Sequence, residues 1–251
     1  HLLYNLNPVV AKELDLAAHG LEIAAADLPT ISLAPDGRHV VLRGGEARFA
    51  DGSAHPDAAA YKALRQRLVR NARLLAPMLN RTPPNLAGSR DAGSVMELGA
   101  LAGLGLNVRR LGKVGMEAFL HDILSNVRDV VTDEIPDGPL AGALGADAVL
   151  GAWAAPRSPG TVLGLMYRLA QGGSPGLPKG GMGAVTDALA SAAKAAGVEI
   201  VTGRGVASIS IHGDRTTGVV LDDGSLVGAD LVLCSAGPGA MMRLAGAKHF
   251  D

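Results

Sequence analysis

The 251-residue sequence predicts an α/β fold, α+β in its first two thirds, and three observations carry that expectation. Residues 173–251 run helix, strand, antiparallel meander, strand and glycine loop, an order that brings a strand end to a ligand in open α/β sheets. Residues 56–169 place apolar side chains at helical spacing between Gly, Pro and Asn breaks. Residues 1–55 hold short extended runs around a Pro-Asp-Gly turn.

In chain order, Pro8 to Ala18 reads as a short helix with Val9, Val10, Leu14 and Leu16 as its apolar positions, ended by His19-Gly20. Leu21 to Ala24 and Thr30 to Leu33 read as strands, and the turn Pro35-Asp36-Gly37 returns the chain as His39 to Leu42 in a small antiparallel sheet. Tyr61, Leu64, Leu68 and Leu75 then share one helical stripe, with Arg65, Arg67, Arg70 and Arg73 interleaved. Solvation and i,i+4 pairing account for those arginines, which receive no chemical role. Short helices are expected at Ser94 to Leu104, Gly115 to Leu124 and Asn126 to Val131. Ala184 to Ala196 is an alanine-rich helix with Gly197 where a left-handed cap belongs. Strands follow at Val198 to Val201, Val206 to Ile211, Gly218 to Leu221 and Ala229 to Cys234, with turns at Gly213-Asp214 and Asp223-Gly224.

Composition removes several classes. Lys plus Arg is 23 against 24 for Asp plus Glu, a net charge of -1 without long runs of one sign, so no face tracks nucleic-acid phosphates. Gly at 34 of 251 residues is roughly twice ordinary usage and signals many turns, while 48% hydrophobic residues exclude disorder. The one cysteine, Cys234, leaves no internal disulfide and suits a reducing compartment. No apolar run reaches the length of a membrane-spanning helix, and the first residues lack the order of a signal peptide. The expectation is a soluble, cytoplasmic chain, with peripheral membrane contact left open.

No G-x-G-x-x-G loop opens a helix; the nearest approach, Gly203-Arg-Gly205-Val-Ala-Ser208, leads into a strand pattern. A Walker loop, a nucleophile elbow and an H-E-x-x-H pair are also missing, and the seven histidines lack metal-ligand spacing, so no metal is expected. One segment keeps two readings. In Leu177 to Gly183, Lys179, Gly180, Gly181 and Met182 precede a helix: they form either a tight turn into it or a backbone surface close to a ligand.

The run Pro178-Lys-Gly-Gly-Met-Gly-Ala-Val-Thr-Asp-Ala-Leu189, followed by Ala195-Ala-Gly-Val-Glu-Ile-Val-Thr202, Val206 to Ile209, Gly218-Val-Val-Leu-Asp-Asp-Gly224 and Ala229-Asp-Leu-Val-Leu-Cys-Ser-Ala-Gly-Pro238, resembles phytoene-desaturase-like FAD-dependent oxidoreductases, relatives of the flavin amine oxidases. Leu14 to Glu22 and Leu144 to Thr161 resemble segments of the same family's substrate domain. The resemblance implies an internal piece of such an enzyme. It implies a mixed antiparallel-sheet and helical substrate domain over residues 1–172, and part of an FAD-binding Rossmann-like domain with a β-meander over 173–251. It further implies that Val206 and the loop Ser235, Ala236, Gly237 and Pro238 approach FAD. The N-terminal phosphate loop and the C-terminal glycine-rich segment of the family have no counterpart in these residues.

The expected activity is that of an FAD-dependent oxidoreductase oxidising a C–C or C–N bond of an apolar small molecule, the flavin supplying the redox chemistry. Trp153 and Met166 suit a hydrophobic substrate pocket, although core packing is the stronger explanation of the same residues. No catalytic acid or base is assigned. The alternative is a non-catalytic binding or interaction module on the same fold that does not hold FAD.

Overall fold

The computed structural model describes residues 2–4, 6–79, 92–170, 175–213 and 215–250. It divides into two compact units, His1–Ala192 and Ala193–Asp251. The first unit holds α1 (Pro8–Glu13), β1 (Ile23–Ala25), β2 (Thr30–Ser32), β3 (Val40–Arg43), β4 (Glu46–Phe49), α2 (Ala58–Leu79), α3 (Ala92–Arg109), α4 (Gly112–Leu124), α5 (Val127–Thr132), α6 (Pro139–Val149), α7 (Thr161–Ala170), β5 (Leu177–Pro178) and most of α8 (Met182–Ala195). The second holds β6 (Val206–His212), β7 (Arg215–Leu221), β8 (Leu226–Gly228), α9 (Pro238–Ala245) and a 3-10 turn, Ala247–His249.

The antiparallel sheet expected near the N-terminus forms as β2-β3-β4, with Ile31 opposite Val41 and Leu42 opposite Ala47. The two-residue connection Gly44-Gly45 carries φ of 59° and 95°, the left-handed geometry that matches hairpin twist and that glycine adopts without a Cβ penalty. β1 does not join this sheet. It pairs with β5, Ile23 opposite Pro178, so the chain after α7 returns to the N-terminal segment.

One core fills the first unit. Tyr61, Leu64, Leu68 and Ala72 of α2 face Val40 and Leu42 of β3, Val130 and Val131 of α5, Leu140 and Leu144 of α6, and Val162, Leu165 and Met166 of α7. The stripe read from the sequence is thus the buried face of α2, with Leu75 packed at its margin. Close packing of α6 and α7 depends on Gly164, where a Cβ would stand 2.6 Å from the Ala148 carbonyl oxygen. α5 begins at Asn126, whose side chain accepts from the Asp129 N–H at 2.9 Å, and Thr161 Oγ1 accepts from the Val127 N–H at 2.9 Å.

A second, smaller cluster joins Leu16 to Ala188 and Ala192 of α8. That packing carries α8 into the first unit, and the compact units therefore part at Ala192 and Ala193; the expected boundary at 172/173 falls outside the described residues. α8 ends as anticipated: Gly197 takes φ of 84°, its N–H donates to Lys194 O at 2.9 Å, and the Val198 N–H donates to Ala193 O at 3.0 Å.

The second unit departs from expectation in its strands, and it adds β8 and α9, which the sequence reading did not name. The meander β6-β7-β8 forms, with Ile209 opposite Val219 and Val220 opposite Leu226, although Asp214 of its first turn lies outside the described residues. The runs Val198 to Val201 and Ala229 to Cys234 do not enter a sheet. Their alternating apolar composition was sound strand chemistry, but a strand exists only where a neighbour accepts its hydrogen bonds. Val198, Val201, Leu231 and Leu233 stay 51%, 55%, 73% and 88% exposed. Among the described residues no helix is long and apolar enough to cross a membrane.

Candidate functional site

A cleft of about 710 Å³, counted out to solvent, opens on the first unit between the β2-β3-β4 sheet, α2, α6 and α7. Its floor is the edge of the core: Leu42, Leu64, Leu68, Leu144 and Leu165, each less than one-tenth exposed. Around this floor stand Asp27, Arg43, Tyr61, Arg65 and Asp147. The arrangement follows from helical period: Tyr61, Leu64, Arg65 and Leu68 are three and four residues apart, so one face of α2 delivers both floor and polar wall.

The polar groups are mutually organised. Arg43 Nε lies 3.2 Å from Asp27 Oδ2, and Arg168, behind the cleft, holds Asp147 Oδ1 at 2.9 Å. Asp27 takes φ of 51°, a left-handed conformation unusual outside glycine, and its carboxylate pairs with Arg43 at the rim. Burial raises the Asp147 carboxyl above the ordinary aspartate range, and the Arg168 charge opposes that rise. Burial likewise raises the Tyr61 hydroxyl, against the Arg65 charge. A neutral phenol beside a guanidinium can donate a hydrogen bond while the leucines exclude water.

A second polar cluster joins α2, α4 and the segment just after α5. Asp122, 1% exposed, accepts from Arg67 Nε at 3.2 Å and from Asn71 Nδ2 at 2.8 Å, and Arg67 also pairs with Glu134. Burial would lower the Arg67 guanidinium, but the Glu134 and Asp122 carboxylates hold it above its usual value. Its partners are all side chains of this unit, so the cluster ties helices together.

The residues anticipated from the sequence fall elsewhere. Trp153 is fully exposed, with a relative exposure of 108%, and Met166 is wholly buried in the core; neither lines the cleft. Lys179 reaches Glu22 through both backbone and side chain, each at 2.9 Å. Gly180 and Gly181 take φ of 82° and 78°, and Gly181 N–H donates to Pro178 O at 3.0 Å, so this segment turns the chain from β5 into α8. Met182, at the start of α8, is 37% exposed.

In the second unit Val206 opens β6 at 40% exposure, and Ser235, Ala236 and Gly237 are exposed. Gly237, with φ of 86°, starts α9, Pro238 follows at its first turn, and no side chain caps the helix. A Cβ on Gly237 would meet nothing within 4 Å. Small side chains, open space and uncapped helix N–H groups fit one edge of a flavin; the glycine-rich phosphate loop such a cofactor also needs is not in these residues.

Tyr61, Arg65, Asp147, Arg43 and Asp27 escaped the sequence reading. Asp147 had a signal, a charge set within the apolar helix Pro139–Val149. Arg65 was visible only as one arginine among several on α2.

The model of the flavin-containing amine oxidoreductase family matches residues 36–250. Among curated proteins, pyridine nucleotide-disulfide oxidoreductase domain-containing protein 2 of Rattus norvegicus is 28% identical over 261 residues, covering 95% of this chain and 44% of its own length. Its counterpart in Mus musculus is 26% identical over 258 residues with the same coverage. The chain therefore spans less than half the length of these relatives. A crystal structure of an oxidoreductase from Methanosarcina mazei shares the fold, with a TM-score of 0.52 at 18% identity over 98% of this chain and 49% of that one.

Proposed function

The chain belongs to the flavin-containing amine oxidoreductase family, and we propose that it works as part of an FAD-dependent oxidoreductase that oxidises a C–C or C–N bond of an apolar small molecule. The observation that carries the substrate half of this reading is the leucine-floored cleft of the first unit. When bound, the flavin supplies the redox step by accepting a hydride equivalent. The chain's own residues bind and desolvate: Leu64, Leu68 and Leu165 exclude water from the substrate, while Tyr61 and Arg65 orient it at the rim. Ser235, Ala236, Gly237, the start of α9 and Val206 are the cofactor-facing residues in this reading.

One feature of the second unit supports it. The apolar runs at 198–201 and 229–234 have the composition of sheet strands, and their exposure suits partner strands supplied from outside residues 1–251. A reducing compartment, the cytoplasm, suits a chain with one cysteine.

The test is a titration of the purified chain with FAD, following flavin fluorescence and the protein's melting temperature. Saturable quenching with a rising melting temperature is the expected result, because a ligand held only by the native state must stabilise it. Gly237→Val should weaken that binding at least tenfold. FAD that leaves both signals unchanged at millimolar concentration would count against these residues as a cofactor edge and favour a non-catalytic module.

A further inference from the structure

We propose that the cleft of the first unit selects an apolar molecule ending in an anionic group, a carboxylate in the simplest case, with Arg65 as the anchor for that group. The inference deepens the reading of this cleft as the substrate's site and rests on it.

Two arginines and two aspartates line the cleft, Arg43, Arg65, Asp27 and Asp147. Arg43 is engaged with Asp27 at 3.2 Å. Asp147 is engaged at 2.9 Å with Arg168, whose guanidinium approaches from outside the lining and also stacks 4.4 Å from the Tyr4 ring centroid. Among the described residues Arg65 forms no ion pair; its recorded polar contact is the hydroxyl of Tyr61. Among the described residues, then, Arg65 is the lining cation without a carboxylate partner, held half-buried beside leucines.

The placement of Arg65 suits recognition. Its Nη1 lies against the Gly44-Gly45 hairpin turn, 3.4 Å from where a Cβ on Gly45 would stand, so the absence of a side chain there gives the guanidinium its seat. Next to it the Tyr61 ring is 5% exposed and offers a hydroxyl to the same region. A guanidinium and a phenol side by side, above a floor of Leu42, Leu64, Leu68 and Leu165, match a carboxylate head on an apolar tail: two donors for the oxygens, hydrocarbon for hydrocarbon. An ammonium head would meet the same guanidinium and be repelled, since both nearby carboxylates already have cationic partners.

The experiment is calorimetric titration of the full chain with dodecanoate, dodecanol and dodecylamine, each below its aggregation concentration, with no flavin present. Dodecanoate should bind at least tenfold more tightly than dodecylamine, with dodecanol between. Arg65→Gln should cost dodecanoate about tenfold and dodecanol less than twofold, as expected for loss of a charged hydrogen bond, and Arg65→Lys should restore most of it. A preference for the amine, equal binding of all three, or an Arg65→Gln variant that holds dodecanoate unchanged would overturn the proposal. Dodecanol binding without preference for the anion would defeat the anchor while sparing the apolar cleft, and failure of all three to bind would defeat both. If Arg65→Gln does not fold, judged by its circular dichroism, the comparison of the three head groups on the unaltered chain decides alone. FAD binding is read separately, so its failure and this one cannot be confused.

Discussion

The two units solve the problem of burying apolar surface differently. In the first, one helical stripe on α2 meets strands and helices on several sides, and residues as large as Leu64, Leu68, Ile135 and Met166 lose all but a trace of their exposure. In the second, the described apolar side chains that become buried are Ile209 and Leu221, while Leu231 and Leu233 stand 73% and 88% exposed. The difference follows from geometry. A helix satisfies its own backbone, so it can be placed wherever its apolar face finds a partner; a strand must find hydrogen-bonding neighbours before its side chains can be covered. Stability in the first unit should therefore rest on packing and in the second on the meander's ladder.

The largest test of that contrast is Met166→Ala. Deleting a fully buried methionine from a closed core should cost about 2–5 kcal/mol, read as a lower urea midpoint of the first unit. The matching change in the second unit is Gly218→Ala. Gly218 sits in β7 at φ of 146°, and a Cβ there would overlap the Val227 carbonyl oxygen of β8. Forcing it in should separate β8 from β7 at a cost of about 1–3 kcal/mol, with melting of the meander while the first unit's transition stays in place. A Met166→Ala variant as stable as the parent would break the comparison at its stronger end.

Amide exchange sharpens it further. Backbone N–H groups of 199–201 and 230–234 lack ladder partners among the described residues, whereas Ile209 and Val219 sit in the paired β6-β7 register. Exchange at the extended runs should be at least a hundredfold faster than in β6 and β7, approaching the rate of an unfolded chain. Protection at 230–234 equal to that of Ile209 would mean that these runs are already paired in solution.

Much of this architecture was legible from the sequence because it depends on local spacing. The α2 stripe, the Gly197 cap and the β6-β7 pair each follow from residues within a few positions of one another, whereas β8 forms at Leu226–Gly228, just before the run expected to be the next strand. Residues 56–169 read as helical, yet α6 and α7 were not delimited within them; α6 is apolar on most sides, so its spacing marks no single face. The cleft was missed for a different reason: Asp27, Tyr61 and Asp147 meet only after the sheet, α2 and α6 have packed, and nothing in their separate neighbourhoods announces it. Trp153 and Met166 show the converse case, since apolar character alone does not distinguish a pocket wall from core or surface. Only the structure divides them, Met166 inward and Trp153 outward.

A smaller effect attaches to the turn after β7. Asp223 accepts hydrogen bonds from the Ser225 hydroxyl and N–H and faces Arg204, and these hold its carboxyl at about 2. Because the folded value is depressed below the ordinary 3.8, the turn's contribution is complete above about pH 4 and is lost as pH falls toward 2. A carboxylate NMR titration should give a midpoint near 2 for the parent chain, and Ser225→Ala should move it back toward the ordinary value. A parent midpoint already at the ordinary value would remove this turn from the meander's support.

The smallest expected effect is the most discriminating. Trp153 is the chain's one tryptophan and is fully exposed, so its emission should be that of an indole in water and readily quenched by iodide. Trp153→Ala should then change the unfolding free energy by less than about 0.5 kcal/mol, since no packed neighbour loses contact. It should also leave dodecanoate binding unchanged, because the indole stands apart from the cleft. Set beside Met166→Ala, it separates two residues that the sequence treats alike: one carries the core and the other carries none of it. A blue-shifted, quencher-resistant emission would show that in solution something covers Trp153, and the exposed surface of the first unit would then have to be counted with the open strands of the second.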